Sequence, residues 1–523
     1  MCADQVISNG GQPMQSPADE AQRTTLHVGS HPAFTQTTTH VSTQGILKAV
    51  ATIVLLVLLS ACIGSASTPS PPTLALTECV VQGSIHARCG TFPVAENPSA
   101  PTGRKIALNV VMLPATTSDR AADPLFYLEG GPGGAATDEA AWVARHFATL
   151  NQHRDIVLID QRGTGRSNPV TCSTAAVSAS PSEAQIAADV KGCLDSIKDK
   201  ADPRYYTTPI AVDDFDQVRA ALGYDKINVY GVSYGVSSGL AYTQRHGAHV
   251  RAAVLDSGSL LDVRLLELIP RSAQPALASL FARCQSSARC ISAFPRLEAD
   301  FAAVTTHLSK EPLATSVIDA TTGRLVRLDL PTFMGMLIDT YLKSAQGSVA
   351  FPKDIHAAAN GDWSGVTQAL ARNVSGPTSI PIMSITIRCS DEWASLDPNR
   401  VASVAPNSPF TPNEVGYANG INMVCKYWPQ AEGASGSVTS SAPIVFLNGM
   451  TDPVDPPDNV AQARATMPNS LVVPVAGIGH WQLDFDPTGC LTEQTNVFLA
   501  QGKPPVQEAW ACAQSIPLPE FVV

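Results

Sequence analysis

The sequence feature that most constrains the fold is the pentapeptide Gly231–Gly235, which reads Gly-Val-Ser-Tyr-Gly. An apolar run, Ile227–Tyr230, precedes it, and a helix-like stretch from Val236 to Gln244 follows it. Gly-x-Ser-x-Gly between a strand and a helix is typical of a sharp turn that projects the serine side chain beyond a sheet edge. Glycine is needed on both sides because neighbouring backbone passes close to such a turn. An ordinary small-residue turn would read the same, so the rest of the chain has to decide between the two.

Short apolar runs separated by helical segments predict an α/β fold with a mostly parallel central sheet flanked by helices. The runs are continuous rather than alternating, which indicates strands that are buried on both faces. The predicted strands are Ile106–Leu113, Leu125–Leu128, Ile156–Ile159, Ile227–Tyr230, Ala252–Leu255, Ile444–Leu447 and Leu471–Val475.

Between Ser259 and about Ile380 the pattern changes to amphipathic helices, and no clean buried strand is apparent. The predicted helices include Ala276–Arg283, Arg296–Leu308 and Pro331–Ser344. This pattern predicts a helical insertion over the sheet. We therefore expect the sheet domain to comprise residues 79–258 and 436–523, with a helical cap and connecting region at 259–435.

The first 61 residues are predicted to be a leader that ends in a lipoprotein signal peptide. An apolar run follows Lys48 and has the length of a signal-peptide core. It ends in Leu-Ser-Ala-Cys at Cys62, which resembles a bacterial lipobox and implies lipid attachment at that cysteine. Residues 62–78 then form a tether rich in Ser, Thr and Pro. An uncleaved membrane anchor is the alternative interpretation.

Charge and cysteine content restrict the class of protein. The formal net charge of −11 at pH 7 argues against a nucleic-acid partner. Of 12 cysteines, Cys2 lies in the leader and Cys62 in the lipobox, which leaves an even number, as expected for disulfides in an exported protein. No C-x-x-C or H-E-x-x-H motif supports a metal site, and no cofactor is expected. Local spacing suggests, without fixing them, the pairs Cys79–Cys89, Cys172–Cys193, Cys284–Cys290, Cys389–Cys425 and Cys490–Cys512.

Residues far downstream supply the partners that a nucleophilic Ser233 would need. A serine hydroxyl requires a base within hydrogen-bond reach and a carboxylate that orients the base. His480 is the histidine that lies in a loop just after the last predicted strand. Asp452 follows the preceding strand, at the sheet edge where catalytic groups gather. Asp455 is the alternative acid, and Asp256, which ends its own strand, is a further candidate.

Two glycine-rich segments follow predicted strands. Glu129–Gly134 reads Glu-Gly-Gly-Pro-Gly-Gly. A tetrahedral oxyanion needs two backbone donors, and we expect the amides of Gly131 and Tyr234 to form the oxyanion hole. Asp160–Ser167 lacks the spacing of a phosphate-binding loop. We therefore expect a structural role for it, with Arg162 bracing the floor of the site.

These glycine-rich segments and the Gly-x-Ser-Tyr-Gly pentapeptide together resemble the prolyl and tripeptidyl aminopeptidase branch of the α/β-hydrolases. The resemblance spans residues 79 to about 515 and implies the α/β-hydrolase fold with a helical cap. It also implies an exported serine aminopeptidase that releases N-terminal residues or short peptides through an acyl-enzyme. One departure is Glu129, where many relatives have His. Further matching segments are Cys389–Asp391, Cys425–Pro429, Asn448–Pro456 and Gly479–His480.

An aminopeptidase must also bind a cationic α-amine, and a desolvated ammonium needs a paired carboxylate. We expect Glu129, Asp391 and Glu392 to be candidates for this role, with Trp393 and Tyr234 as walls of an apolar pocket. The alternatives are a carboxylesterase or lipase with the same triad and, more remotely, a non-catalytic binding lipoprotein. The expected partners are a peptide or a small ester or amide, and a membrane of the bacterial cell envelope through the lipid anchor.

Overall fold

A mixed sheet of nine strands forms the centre of the computed structural model, which describes residues 73–172, 182–319, 325–374, 380–391, 396–477 and 479–523. The predicted leader, the lipobox cysteine Cys62 and most of the tether lie outside these residues. The described residues form thirteen strands, of which β6 and β11, and β9 and β10, form two separate two-stranded sheets. The strands are β1 (Thr77–Val81), β2 (Ile85–Ala95), β3 (Lys105–Leu113), β4 (Leu125–Leu128), β5 (Ile156–Ile159), β6 (Thr171–Cys172), β7 (Ile227–Val232), β8 (Val250–Asp256), β9 (Leu313–Ile318), β10 (Leu325–Leu328), β11 (Ile380–Pro381), β12 (Ile444–Gly449) and β13 (Ser470–Val475).

The strand order of the large sheet is β1-β2-β3-β5-β4-β7-β8-β12-β13. The strands from β5 to β13 in this order run parallel, whereas β1, β2 and β3 form an antiparallel edge. Every strand predicted from an apolar run is present. The sequence did not predict β1 and β2 because these strands are partly exposed and lack a continuous apolar run.

Helices cover both faces of the sheet. Side chains alternate along each strand, so Phe126 and Leu128 pack on one face while Leu125 and Tyr127 pack on the other. The α-helices are α1 (Ala140–His146), α2 (Ala148–Asn151), α3 (Glu183–Ile197), α4 (Thr208–Ala221), α5 (Tyr234–His246), α6 (Leu265–Ser286), α7 (Ala288–Ala293), α8 (Leu297–Lys310), α9 (Leu330–Met336), α10 (Ala345–Ala359), α11 (Ser364–Asn373), α12 (Ile382–Ser390), α13 (Pro398–Val404), α14 (Thr411–Cys425) and α15 (Cys490–Gln501).

In its described residues, the segment between β8 and β12 is mainly helical. Helices α6–α11, α13 and α14 contribute to one apolar core, whereas α12 packs with α3 in a separate apolar cluster. The predicted helix over Pro331–Ser344 is instead α9 followed directly by a π-helical turn, Leu337–Leu342. A two-stranded hairpin of β9 and β10 also belongs to this insertion. Its strands alternate between half-buried and exposed residues, which explains why they gave no buried-strand pattern.

Among the residues that the structure describes, five disulfides connect neighbouring parts of the chain, and they pair the cysteines that the spacing suggested. Such a content is typical of proteins that fold in an oxidising, exported compartment. Within the described ranges, no helix is both long and apolar enough to cross a membrane. The disulfides are Cys79–Cys89, Cys172–Cys193, Cys284–Cys290, Cys389–Cys425 and Cys490–Cys512.

Candidate active site

Ser233 lies in the tight turn between β7 and α5. Its backbone has φ 55° and ψ −122°, a conformation that residues other than glycine seldom adopt. The flanking glycines are needed for space: a Cβ on Gly231 would lie 2.3 Å from the Gly235 carbonyl oxygen, and one on Gly235 would lie 2.1 Å from the Leu128 carbonyl oxygen. The turn therefore holds the serine side chain beyond the end of β7, at the carboxyl edge of the parallel strands.

A buried hydrogen bond joins His480 to Asp452. The His480 Nδ1 atom lies 2.7 Å from Asp452 Oδ2, and the two side chains are 3% and 0% exposed. Asp452 Oδ1 accepts the backbone N–H groups of Val454 and Asp455 at 2.9 and 3.0 Å, which fixes the carboxylate. Asp455 Oδ2 lies farther away, 3.9 Å from His480 Nδ1. The geometry therefore favours Asp452 over Asp455 as the direct partner of the imidazole.

Asp256, the third candidate acid, braces the site instead of pairing with the histidine. Its carboxylate accepts hydrogen bonds from the hydroxyls of Tyr230 and Ser257, both at 2.7 Å, and from the Gln482 N–H at 3.1 Å. The Ser257 hydroxyl oxygen in turn accepts the Trp481 N–H at 2.8 Å. These contacts hold the loop after β13 against the end of β8.

The serine and the histidine are brought to the same sheet edge. The Ser233 N–H donates to the Asp256 carbonyl at 2.9 Å, and the histidine loop is bound to Asp256 and Ser257 as described. Within the described part of the chain, no hydrogen bond joins the Ser233 hydroxyl to His480. Catalytic hydrogen bonds are often long in a free enzyme and shorten when substrate binds.

Neighbouring charges change the pKa of His480. Burial alone would lower the pKa of His480, but the Asp452 carboxylate outweighs burial and raises that pKa above its ordinary value. Burial acts to raise the pKa of Asp452, and the neighbouring imidazole brings it below its ordinary value. Burial, with repulsion from Asp452, raises the pKa of Asp455 to about 7. The pair of His480 and Asp452 therefore favours an imidazolium next to a carboxylate.

Asp452, Asp455 and His480 also offer ligand atoms that lie within 4.8 Å of one another. Three such atoms are enough to suggest a metal site. However, Asp452 already accepts two backbone N–H groups and the imidazole, and Asp455 accepts the Ser259 hydroxyl at 2.6 Å. Because these hydrogen bonds engage both oxygens of Asp452 and one oxygen of Asp455, we assign no metal to this cluster.

The predicted oxyanion donors lie next to Ser233. A Cβ on Gly130 would lie 3.1 Å from Ser233 Cβ, so the glycine-rich loop packs directly against the serine. Gly131 has φ 120°, which side chains seldom tolerate. Tyr234 is the first residue of α5, and the first amides of a helix have no acceptor within that helix. The oxyanion-hole role of the two amides stays a prediction.

The predicted amine-binding residues differ in their surroundings. Glu129 directly follows β4 and accepts a hydrogen bond from the Tyr127 hydroxyl. Burial raises the pKa of Glu129. Asp391 instead accepts the Thr208 hydroxyl at 2.9 Å and the Ala434 N–H at 3.0 Å, and burial raises its pKa to about 7. Both of its oxygens are thus engaged in contacts within the protein. Glu392 and Trp393 lie outside the described residues.

Tyr234, which we expected to be a wall of an apolar pocket, lines a small pocket together with Glu129, Phe215 and Met383. Its side chain is buried, and its hydroxyl lies 2.7 Å from the Thr208 hydroxyl and accepts Gln161 Nε2–H at 3.1 Å. Thr208 in turn donates to Asp391. Because a phenol needs a hydrogen-bond partner when it is buried, this polar chain fixes the ring below the serine turn.

Arg162 has the structural role that the sequence predicted. Its guanidinium is fully buried and donates to both carboxylate oxygens of Asp214, at 2.6 and 2.8 Å. It also donates to the carbonyl oxygens of Ala95, Glu96 and Tyr205. A bidentate pair with this many partners is geometrically specific, and it ties β2 to the segment that leads into α4.

The π-helical turn of the insertion supports the histidine loop, which the sequence did not predict. The Lys343 carbonyl, just after this turn, accepts the His480 N–H at 3.1 Å. A Cβ on Gly479 would lie 2.4 Å from the Leu342 carbonyl oxygen, so the loop is pressed against the turn. The Lys343 ammonium donates to Asp339 at 2.8 Å. The glycine before His480 was the available signal, because glycine permits such close approach.

The sequence of this chain is similar to those of known proteins with the alpha/beta hydrolase fold. The sequence model of the alpha/beta hydrolase fold matches residues 123–487. The tripeptidyl aminopeptidase of Streptomyces lividans is 34% identical over 189 residues, which cover 32% of this chain and 35% of that protein. The serine protease Hip1 of Mycobacterium bovis is 30% identical over 226 residues, 39% of this chain and 42% of that protein. The proline iminopeptidase of Neisseria gonorrhoeae is 34% identical over 132 residues, 25% of this chain and 31% of that protein. The match therefore spans less than half the length of each of these relatives.

Proposed function

Because the chain belongs to the alpha/beta hydrolase fold family, we propose that it is a serine aminopeptidase that releases N-terminal residues or short peptides. The observation that carries the proposal is the buried hydrogen bond between His480 and Asp452 at the edge that holds the strained Ser233 turn. The three relatives named above are peptidases by name, which supports a peptide substrate.

In the proposed reaction, the Ser233 hydroxyl oxygen attacks the scissile carbonyl carbon while His480 takes the hydroxyl proton. His480 then delivers this proton to the leaving amine, and the peptide bond breaks to give an acyl-enzyme. Water attacks the ester with His480 again as the base, which restores the serine. Asp452 holds the imidazole tautomer and stabilises its cation, in keeping with the direction of their pKa values.

The Gly131 and Tyr234 amides are the proposed oxyanion hole. Two donors that are already in place cost no reorganisation when the negative charge develops. Loss of a single such donor costs about 3 kcal/mol of transition-state stabilisation in serine proteases. The support here is the position of both residues beside Ser233 and the glycine-only backbone at Gly131.

Glu129 is the proposed ligand for the substrate α-amine. Besides burial, the carboxylates of Asp138 and Asp484 contribute to its raised pKa, and Glu129 in turn raises the pKa of the partly buried Glu139. A bound ammonium would reduce the electrostatic repulsion among these carboxylates. Asp391 is a weaker candidate because its oxygens are engaged. Glu392, proposed for its carboxylate, and Trp393, proposed for its aromatic ring, lie outside the described residues.

The aminopeptidase proposal predicts a requirement for a free amine. Ser233→Ala should abolish hydrolysis of unblocked mono-, di- and tripeptide anilides while the circular dichroism spectrum is unchanged. Glu129→Gln should raise KM for unblocked substrates and have little effect on the N-acetylated forms, because the neutral amide keeps the shape but not the charge. Equal hydrolysis of blocked and unblocked substrates by the unmodified protein would point to an esterase or general amidase instead.

We further propose that the protein is exported and lipid-anchored at Cys62 in the bacterial cell envelope. The disulfides of the described part support export, and the lipobox resemblance supports the anchor. On this view, residues 62–78 tether a catalytic domain made of residues 79–258 and 436–523, with residues 259–435 as its cap. Cys62→Ser should move the protein from the membrane fraction to the soluble fraction; retention in the membrane fraction would contradict the lipid anchor.

A further inference from the structure

Trp481 is an exposed aromatic residue held in an unfavourable conformation beside the catalytic base. It directly follows His480, and its ring centroid lies 5.3 Å from the imidazole centroid, in an edge-on arrangement. The residue is 41% exposed and has φ 65°. A bulky side chain with positive φ is a genuine outlier that persists only where surrounding contacts impose it.

Those contacts are visible on both sides of the residue. The Trp481 N–H donates to the Ser257 hydroxyl oxygen at 2.8 Å, and the Gln482 N–H donates to Asp256 Oδ1 at 3.1 Å. The Gln482 side-chain amide donates to the Gly479 carbonyl oxygen at 2.7 Å. The backbone is therefore fixed at both ends, and the indole is left at the surface and cannot turn into the core.

Unfavourable backbone conformations are concentrated at this site. Five described residues other than glycine have positive φ, and three of them, Ser233, Ser257 and Trp481, are connected through the contacts given above. For Ser233 the conformation presents the nucleophile, and Ser257 anchors the histidine loop. Backbone strain of this kind clusters at functional sites. We therefore expect Trp481 to have a function as well.

We propose that the Trp481 indole forms an apolar subsite for the leaving group, where it binds the side chain of the first residue after the scissile bond. This inference rests on the proposed acyl transfer through Ser233. The leaving amine has to come within hydrogen-bond reach of His480 to receive its proton. The chain beyond that amine must then pass the imidazole, where the indole offers a large, rigid apolar surface. The preferred leaving residues are therefore apolar or aromatic, such as Leu or Phe.

The test separates formation of the acyl-enzyme from its hydrolysis, because the leaving group departs between the two steps. Peptides with one common acyl part and either Leu or Gly as the first leaving residue are compared. Trp481→Gly removes the ring and suits the positive φ, whereas Trp481→Phe keeps an aromatic ring. For Trp481→Gly we expect kcat/KM to fall about 10-fold or more with Leu and about 2-fold or less with Gly. The deacylation rate of the common acyl-enzyme should not change, and Trp481→Phe should retain the preference for Leu.

Equal losses for the Leu and Gly substrates, or a slower deacylation step, would overturn the inference, because the ring would then merely support His480. Leu325→Ala is the matched control, since it removes an apolar side chain that is 65% exposed on the insertion hairpin; it should leave both substrates unaffected.

The same variants separate this inference from the proposed function. Esters with a common acyl part and either a hexyl or a methyl leaving alcohol replace the peptides. Hexyl selectivity that Trp481→Gly abolishes, without any peptide hydrolysis, would overturn the aminopeptidase proposal and support the subsite. Absence of hydrolysis of both peptides and esters, together with no labelling of Ser233 by a fluorophosphonate, would overturn both.

Discussion

Single residues determine how the base is held, and the two neighbouring aspartates differ in their contacts with it. Asp452 bonds the imidazole at 2.7 Å, whereas Asp455 lies at 3.9 Å and instead accepts the Ser259 hydroxyl. Asp452→Asn should lower kcat by about 10³- to 10⁴-fold because the imidazole loses its orienting carboxylate. Asp455→Asn should lower kcat less than about 10-fold. Steady-state kinetics of both variants checks this, and a larger loss for Asp455→Asn would contradict the assignment.

The pH dependence of the reaction follows from the same pair. The base has to be neutral to accept the serine proton, and Asp452 raises the pKa of His480 above its ordinary value of 6.5. The value of kcat/KM should therefore rise with pH, with a midpoint above 6.5. In Asp452→Asn the carboxylate that favours the imidazolium is gone, so the midpoint of the residual activity should move to lower pH. A midpoint that does not move would contradict the assignment of this limb to His480.

Residue types and chain order were enough to predict that Ser233, His480 and Asp452 lie at one edge of the sheet, because a strand followed by a loop places side chains at a known edge; their catalytic roles stay a prediction. Other contacts between buried polar groups could not be predicted. Asp214 lies within α4, which begins at Thr208. Asp214 is the partner of the buried Arg162, a pairing between segments that no local pattern encodes.

At the scale of elements, the π-helical turn of the insertion couples the cap to the histidine loop. Lys343, which follows this turn, is largely buried, with 23% of its side chain exposed. Its ammonium interacts with Asp339, Asp452 and Asp455 and with Glu414 on α14, and it lowers the pKa of His480. π-Helical turns are frequent at functional sites, and Lys343 after this turn is bonded to the histidine loop through its backbone carbonyl.

Lys343→Met should shift the acidic limb of the pH profile of kcat/KM to higher pH, because loss of the ammonium favours the imidazolium. Asp339→Asn should shift the limb to lower pH, because the ammonium then lacks its nearest anion. Lys343→Arg is the control that keeps the charge and should keep the limb in place. Shifts of the same sign in Lys343→Met and Asp339→Asn would contradict the electrostatic role of Lys343.

Element prediction succeeded where burial on both faces gives a continuous apolar run and failed where it does not. The core strands β5 and β7 are buried along their whole length, and their runs were visible. The edge strands β1 and β2 and the hairpin of β9 and β10 are partly exposed, so their patterns resemble loops. The π-helical turn cannot be distinguished from an α-helix by periodicity over so few residues.

At the scale of the whole molecule, the sheet order brings together residues that are far apart in sequence. The disulfides lower the conformational entropy of the unfolded chain. The loop closed by Cys389 and Cys425 is longer than that closed by Cys284 and Cys290, with sequence separations of 36 and 6 residues. In the chain-entropy model, removing the first pair by double substitution with Ser should cost about 4 kcal/mol of stability and removing the second about 2 kcal/mol. Urea denaturation checks the order of these two losses, and the reverse order would show that local packing outweighs loop closure.

The proposed mechanism depends on the convergence of Ser233, His480 and Asp452 at one edge of the sheet. Reaction with a fluorophosphonate probe tests this convergence most directly. Peptide mass spectrometry of the labelled protein should locate one adduct per chain, on Ser233. His480→Ala should abolish the labelling, because the serine then has no base. An adduct on another residue, or labelling of His480→Ala at the rate of the unmodified protein, would contradict the account.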